Sequence, residues 1–164
     1  MVARTIDYSE LESFQGQEIG VSRWFEVTQR SIDLFAEATG DRQWVHVDVE
    51  RATRENGGTI AHGFLTLALL PVMLADVLEI TGINHALNYG LNKVRFTNPV
   101  RAGRNVRVRQ KLLSTEPKAG GLLMTSEMTI EIEGEDRPAC VAEGMGLLFP
   151  GTGRLDTTAK AEGA

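Results

Sequence analysis

Two periods divide the chain. Through the first half, apolar residues recur at helical spacing; from about residue 92 they alternate with polar ones. Thr28 has the character of an N-cap, Ile32, Phe35 and Ala36 follow at helical spacing, and Gly40 is a natural stop. The spacing therefore predicts a helix over 29–39. A second short helix is expected over 48–56, capped by Asp48 and broken by Gly57-Gly58. The segment 59–80 is apolar on nearly all sides and reads as one long buried helix. Its charge-free stretch, 64–75, contains Pro71 and falls well short of the roughly 20 residues that a bilayer span needs.

The alternating half predicts strands. Residues 92–96 alternate and stop before Pro99. Over 105–112, Val106, Val108 and Leu112 share one side while Arg107, Arg109 and Lys111 share the other. Leu122, Met124, Met128, Ile130 and Ile132 share one parity; Thr125, Glu127, Thr129, Glu131 and Glu133 take the opposite one. Such alternation marks strands with one buried and one wet face. A last strand is expected over 139–149, and hairpin turns over 118–121 and 134–138. Residues 19–27, mixed β-branched and aromatic, form a first strand; 41–47 follow a helix stop and read as loop. Residues 1–18 are polar and show no clear period, and 151–164 are small and polar, a flexible tail. The order implies an α+β fold in a single domain over 1–150: a curved antiparallel sheet wrapped round a long central helix. A helix that apolar needs cover on nearly every side, and a partner subunit would supply what the sheet does not.

Composition narrows the function. The 164 residues, 42% hydrophobic and 24% charged, suit one globular domain. The net charge of −5 argues against a general binder of nucleic acid or of an anionic membrane, both of which need a concentrated positive field. With Cys140 as the single cysteine no intrachain disulfide forms, which fits a reducing, cytoplasmic setting. The first residues lack the apolar core of a secretory signal.

Two polar spots carry candidate chemistry. Asp41 and His46 share a short polar segment, and a carboxylate beside an imidazole is an acid–base pair tuned to neutral pH. Equally, Asp41 can cap the following turn and His46 can be an ordinary loop histidine. Ala61-His62-Gly63 open the apolar helix, where backbone N–H groups lack partners and the dipole is positive. Gly63 would let an acyl oxygen approach its N–H, as an oxyanion hole requires, or would simply allow close packing. His62 is either a ligand contact or a half-buried structural histidine. The spacing of His46, His62 and His85 is not compact enough for a metal site, so none is expected. Cys140 lies in a strand pattern and reads as buried and inert. Lys93, Arg95, Arg101 and Arg104 gather cations near the start of the sheet, either as a solvated face or to meet the phosphates of a carrier.

Taken together, FAEATGDRQWVH followed by GGTIAHGFLTLALLP resembles the MaoC-like (R)-specific enoyl-CoA hydratases. Phe35 stands at the aromatic position, Gly40-Asp41 at the Gly-Asp, Val45-His46 at the hydrophobic-His end, Ala52 at a small position beyond it, and His62-Gly63 at the helix-start His-Gly. Gln43-Trp44 replace the family's Asn-Pro. With NYGLNKVRF and RPACVAE, this departure resembles the nodulation-protein-N branch. The resemblance covers about 25–149. It implies a hot-dog fold and a homodimer, with reversible syn addition of water to a trans-2-enoyl-CoA in fatty-acid metabolism. Asp41 and His46 would be catalytic, Gly63 would be the oxyanion donor, and His62 and the four cations would bind substrate. CoA would enter as part of the substrate, with no separate cofactor. A hot-dog acyl-CoA thioesterase and a non-catalytic acyl-CoA-binding module are the alternative readings.

Overall fold

The computed structural model describes residues 3–154. Strand β1 (Arg4–Asp7) leads through a 3-10 turn (Tyr8–Phe14) to β2 (Glu18–Val21) and β3 (Phe25–Val27). Helices α1 (Gln29–Thr39), α2 (Trp44–Val47), α3 (Val49–Asn56), α4 (Gly63–Ala68) and α5 (Leu70–Ala75) follow, and then four long strands. These are β4 (Leu78–Phe96), β5 (Arg104–Lys118), β6 (Gly121–Ile132) and β7 (Cys140–Arg154). They form one curved seven-stranded sheet in the order β1-β4-β7-β6-β5-β2, with β3 also paired to β5.

The local signals in the first half act as expected. Thr28 Oγ1 accepts the Ser31 N–H and Asp48 Oδ1 the Arg51 N–H, so α1 and α3 both begin at a capped end. Gly40 closes α1 at φ +80°, a left-handed conformation that favours glycine, and its N–H bonds the Ala36 carbonyl. The predicted strand over 19–27 is one sheet edge in two pieces. Between them Ser22 donates its N–H to the Val108 carbonyl and accepts the Val108 N–H on its hydroxyl. On β6 the expected alternation in burial holds over Ser126–Ile132, where Met128, Ile130 and Ile132 enter the core with Val106, Val108 and Leu112 of β5. It reverses nearer the start of the strand, where Leu123 is buried and Leu122 and Met124 are half-buried. Cys140 is buried there too, and burial pushes its thiol pKa up.

Five expectations need correction. The long central helix is two short ones: Pro71 has no N–H to continue the ladder, and the chain re-starts as α5 after Leu69. Its apolar surface is not wholly enclosed either, since Leu65, Leu70 and Met73 are buried while Phe64 is 69% exposed. The sheet is mixed, because β1 pairs parallel to the start of β4. Residues 44–47 of the expected loop make the single turn α2. Strand β7 runs to Arg154, four residues into the stretch expected as tail, and 155–164 lie outside the described residues. Among the described residues no helix is long and apolar enough to cross a membrane.

Candidate active site

The site forms where α1 and α2 meet the loop before α4. The left-handed turn at Gly40 sends the chain back on itself, which places Asp41 at the head of the next segment. Gln43 then caps α2, and one turn brings His46 inward to 8% exposure. The loop is held from both sides: Ile60 donates its N–H to the Val45 carbonyl and Ala61 donates to the Val100 carbonyl. Gln29 of α1 adds a brace, giving an amide N–H to the His46 carbonyl (2.8 Å) and accepting the Thr59 hydroxyl.

Those constraints fix both imidazoles. His46 Nδ1 lies 2.7 Å from the Ile60 carbonyl oxygen. A carbonyl only accepts, so Nδ1 carries a proton, and in the neutral ring the lone pair lies on Nε2. His62 Nε2 likewise donates to the Asp41 carbonyl at 2.9 Å, and its Nδ1 is buried without a partner. The two rings stack with centroids 3.7 Å apart and planes at 25°, and Phe35 packs on His62 at 5.1 Å. A carboxylate oxygen of Asp41 and one ring nitrogen of each histidine lie within 4.8 Å of one another.

Sequence spacing missed this His46–His62 contact. The three residues have the identities of a metal-ligand set, but stacked imidazoles direct their in-plane lone pairs side by side. A cation at bonding distance from both nitrogens would sit out of at least one ring plane, a poor fit for coordination. The arrangement suits proton transfer better: an imidazole held in one tautomer beside a carboxylate. Gln43, one of the two residues that depart from the Asn-Pro pattern, points its amide Nε2 at Asp41 Oδ1 (3.2 Å) and so helps hold the carboxylate. Trp44, the other, lies under the Arg51 guanidinium at 4.2 Å.

Two cavities adjoin the cluster. The smaller, about 340 Å³, is lined by His46, Gly63, Thr66 and Phe96 among others, so Gly63 does share a space with His46. Gly63 is the first residue of α4, and a methyl group there would meet three Phe96 ring carbons at 3.0–3.2 Å. The larger, about 540 Å³, is walled mainly by apolar side chains, among them Phe35, Phe64, Leu67, Leu91 and Met145. Phe35 links it to the cluster through His62, and Phe64 meets Phe96 edge to face at 5.7 Å.

None of the four cations lines either cavity. Lys93 faces Glu143 and Arg104 faces Glu135, each at 3.7 Å. Arg101 donates to the Asn56 carbonyl (2.6 Å), and Arg95 to the neighbouring Val94 carbonyl. Sequence reasoning also passed over Gln110 and Ser126, both in the wall of the larger cavity. Their signal was available: each places a polar residue where the alternation of its strand calls for an apolar one.

A family model described as "MaoC like domain" matches residues 10–131. The chain belongs to the MaoC-like family. A 3-hydroxyacyl-thioester dehydratase Z of Mycobacterium tuberculosis is 47% identical over 139 residues, 84% of this chain and 92% of that one. Nodulation protein N of Rhizobium leguminosarum bv. viciae is 45% identical over 147 residues, 87% and 91% of the two chains. The unliganded R-hydratase PhaJ1 of Pseudomonas aeruginosa matches in structure with a TM-score of 0.70 at 27% identity, covering 92% of this chain and 90% of that one. The MaoC-like chain therefore has the hot-dog fold and is an enzyme of the hydro-lyase class.

Proposed function

We propose that this MaoC-like protein is an (R)-specific enoyl-CoA hydratase, which interconverts a trans-2-enoyl-CoA and the (R)-3-hydroxyacyl-CoA. The observation that carries the reading is the state of His46. Its Nδ1–H is tied to the Ile60 carbonyl, so in the neutral ring Nε2 holds the lone pair that would take a proton, and the Asp41 carboxylate stands in the same cluster. In this reading one water sits between Asp41 and His46. His46 takes a proton as the water oxygen bonds to C3, and the π electrons move through C2 to the thioester oxygen. Asp41 orients the water and relays the proton that His46 took to C2 on the same face, so one water supplies both the hydroxyl and the new C2–H bond. The enolate oxygen meets the Gly63 N–H, where a preorganised donor helps most because charge develops there. No electron is gained or lost overall, so we assign no redox carrier, and no step calls for a metal.

The acyl chain would occupy the larger cavity and enter past Phe35. For the CoA phosphates we favour Arg95, which is exposed and has no carboxylate partner among the described residues. We assign the protein to cytoplasmic fatty-acid metabolism as a homodimer. The dimer is supported by exposed Phe64 and Val72 and by the edge of β4 beyond its pairing with β1, which carries exposed Leu87 and Tyr89.

The test is to follow the absorbance of the conjugated enoyl thioester with crotonyl and medium-chain substrates, with a thiol reagent in parallel. Loss of absorbance without thiol release, giving the (R)-alcohol, is expected. Thiol release would make it a thioesterase; tight binding without turnover would make it a binding module.

A further inference from the structure

The larger cavity has a polar patch that a plain fatty chain does not use. Gln110 on β5 and Ser126 on β6 are each 3% exposed, yet both belong to its wall. They stand on the inward faces of their strands, where Gln110 is in register with Met128 and Leu112 with Ser126. The amide Nε2 donates to the Ser126 hydroxyl oxygen at 3.1 Å, and the amide Oε1 is buried with no partner. Reversing the amide does not cure this. Ser126 offers one oxygen, so one end of the amide stays bare in either orientation. Ser126, while it accepts from the amide, still has its own hydroxyl proton to give.

Buried polar groups with unmet bonds are disfavoured unless something pairs them. An apolar residue at 110 would continue the Val106, Val108, Leu112 row without that penalty. The pair thus holds one acceptor and one donor in reserve for whatever fills the cavity. An alkyl chain answers neither. A hydroxyl group answers both, since it donates to the amide oxygen and accepts from the Ser126 proton.

We infer that the substrate is an acyl thioester whose chain bears a hydroxyl group beyond the reacting double bond, held by Gln110 and Ser126. This rests on the hydratase reading and names its substrate class. A site built to bond a substrate hydroxyl rejects the analogue that lacks it far better than an apolar pocket rejects an extra carbon, because the polar groups are then left unpaired.

The experiment is competition. The whole protein receives pairs of trans-2-enoyl-CoA thioesters of equal chain length, one plain and one with a hydroxyl moved stepwise outward from the double bond. The ratio of consumption gives the ratio of kcat/KM within one sample, so a loss of folded protein cancels. At one hydroxyl position the wild type should prefer the hydroxylated substrate by about tenfold or more. Gln110→Met and Ser126→Ala should each bring that ratio toward one, and Gln110→Met should speed turnover of the plain chain. If either variant fails to fold, the other carries the comparison. A wild type that favours the plain chain at every position overturns the inference, as do variants that keep the wild-type ratio; water then fills the polar patch. If no thioester is turned over, the hydratase reading falls. The same ratios taken as Kd by calorimetry on the same thioesters then decide the inference separately.

Discussion

At the scale of single residues, the arrangement around His46 makes a sharp claim about two side chains. Asp41→Asn keeps the oxygen that Gln43 approaches but removes the charge and basicity, so it should fold normally. His46→Ala also leaves the Ile60 carbonyl without its donor and removes the ring that stacks on His62, so a stability loss of about 1–3 kcal/mol is expected with it. Hydration activity should fall by about 10²–10⁴-fold in each, the range for a positioned acid or base. Rates corrected for the folded fraction by circular dichroism check this. Near wild-type rates in a folded Asp41→Asn protein would remove Asp41 from the mechanism.

Among the elements, β7 shapes the larger cavity through its glycines. A methyl group at Gly144 would overlap the Met128 terminal carbon, so that flexible side chain would have to move. At Gly146 it would meet nothing nearer than the Leu87 carbonyl oxygen at 4.0 Å. Gly146 lines the cavity, and its strand tolerates a β-branched residue. Gly146→Val should therefore fold, keep its activity on crotonyl-CoA, and lose about tenfold in kcat/KM on chains long enough to reach the added methyls, roughly the discrimination that a methylene or two supports. A kinetic panel of increasing chain length measures the effect. An equal loss at every length would mean that the acyl chain does not run past β7.

For the whole molecule, the unpaired length of β4 matters most. Among the described residues β1 covers only the Leu78–Thr81 end of that strand, while β7 pairs along the other side. Natural proteins cover or pair such an edge, and a closed two-fold dimer is the commonest oligomer. Light scattering at micromolar concentration should give about twice the 18.0 kDa chain mass, through an interface above about 1,000 Å². Leu87→Lys, which places a charge on this edge, should shift the protein toward monomer and lower activity together. A fully active monomer would mean that the site is complete within one chain.

What the sequence by itself determined is what nearest neighbours decide. The caps at Thr28 and Asp48, the stop at Gly40 and the alternation over 105–112 and 126–132 are local, so α1, α3 and the central parts of β5 and β6 were legible, while the extension of β5 to Lys118 comes from its pairing with β6. The Asp41 and His46 positions were legible only as a spaced motif, because spacing leaves a loop histidine and a base indistinguishable. Only the tertiary structure decided the rest. Most of β4 was hidden because four register shifts break its alternation and Gly82, Asn84, Asn88 and Gly90 look like turn residues; its pairing with β7 holds it extended. Residues 1–18 show no period because β1 and β2 are short pieces specified by the strands they meet. His62 gained its place against His46 from the Val100 bond that docks its loop, a contact between segments far apart in the chain. The tautomer of each ring follows from which carbonyl it faces, and no sequence period encodes that.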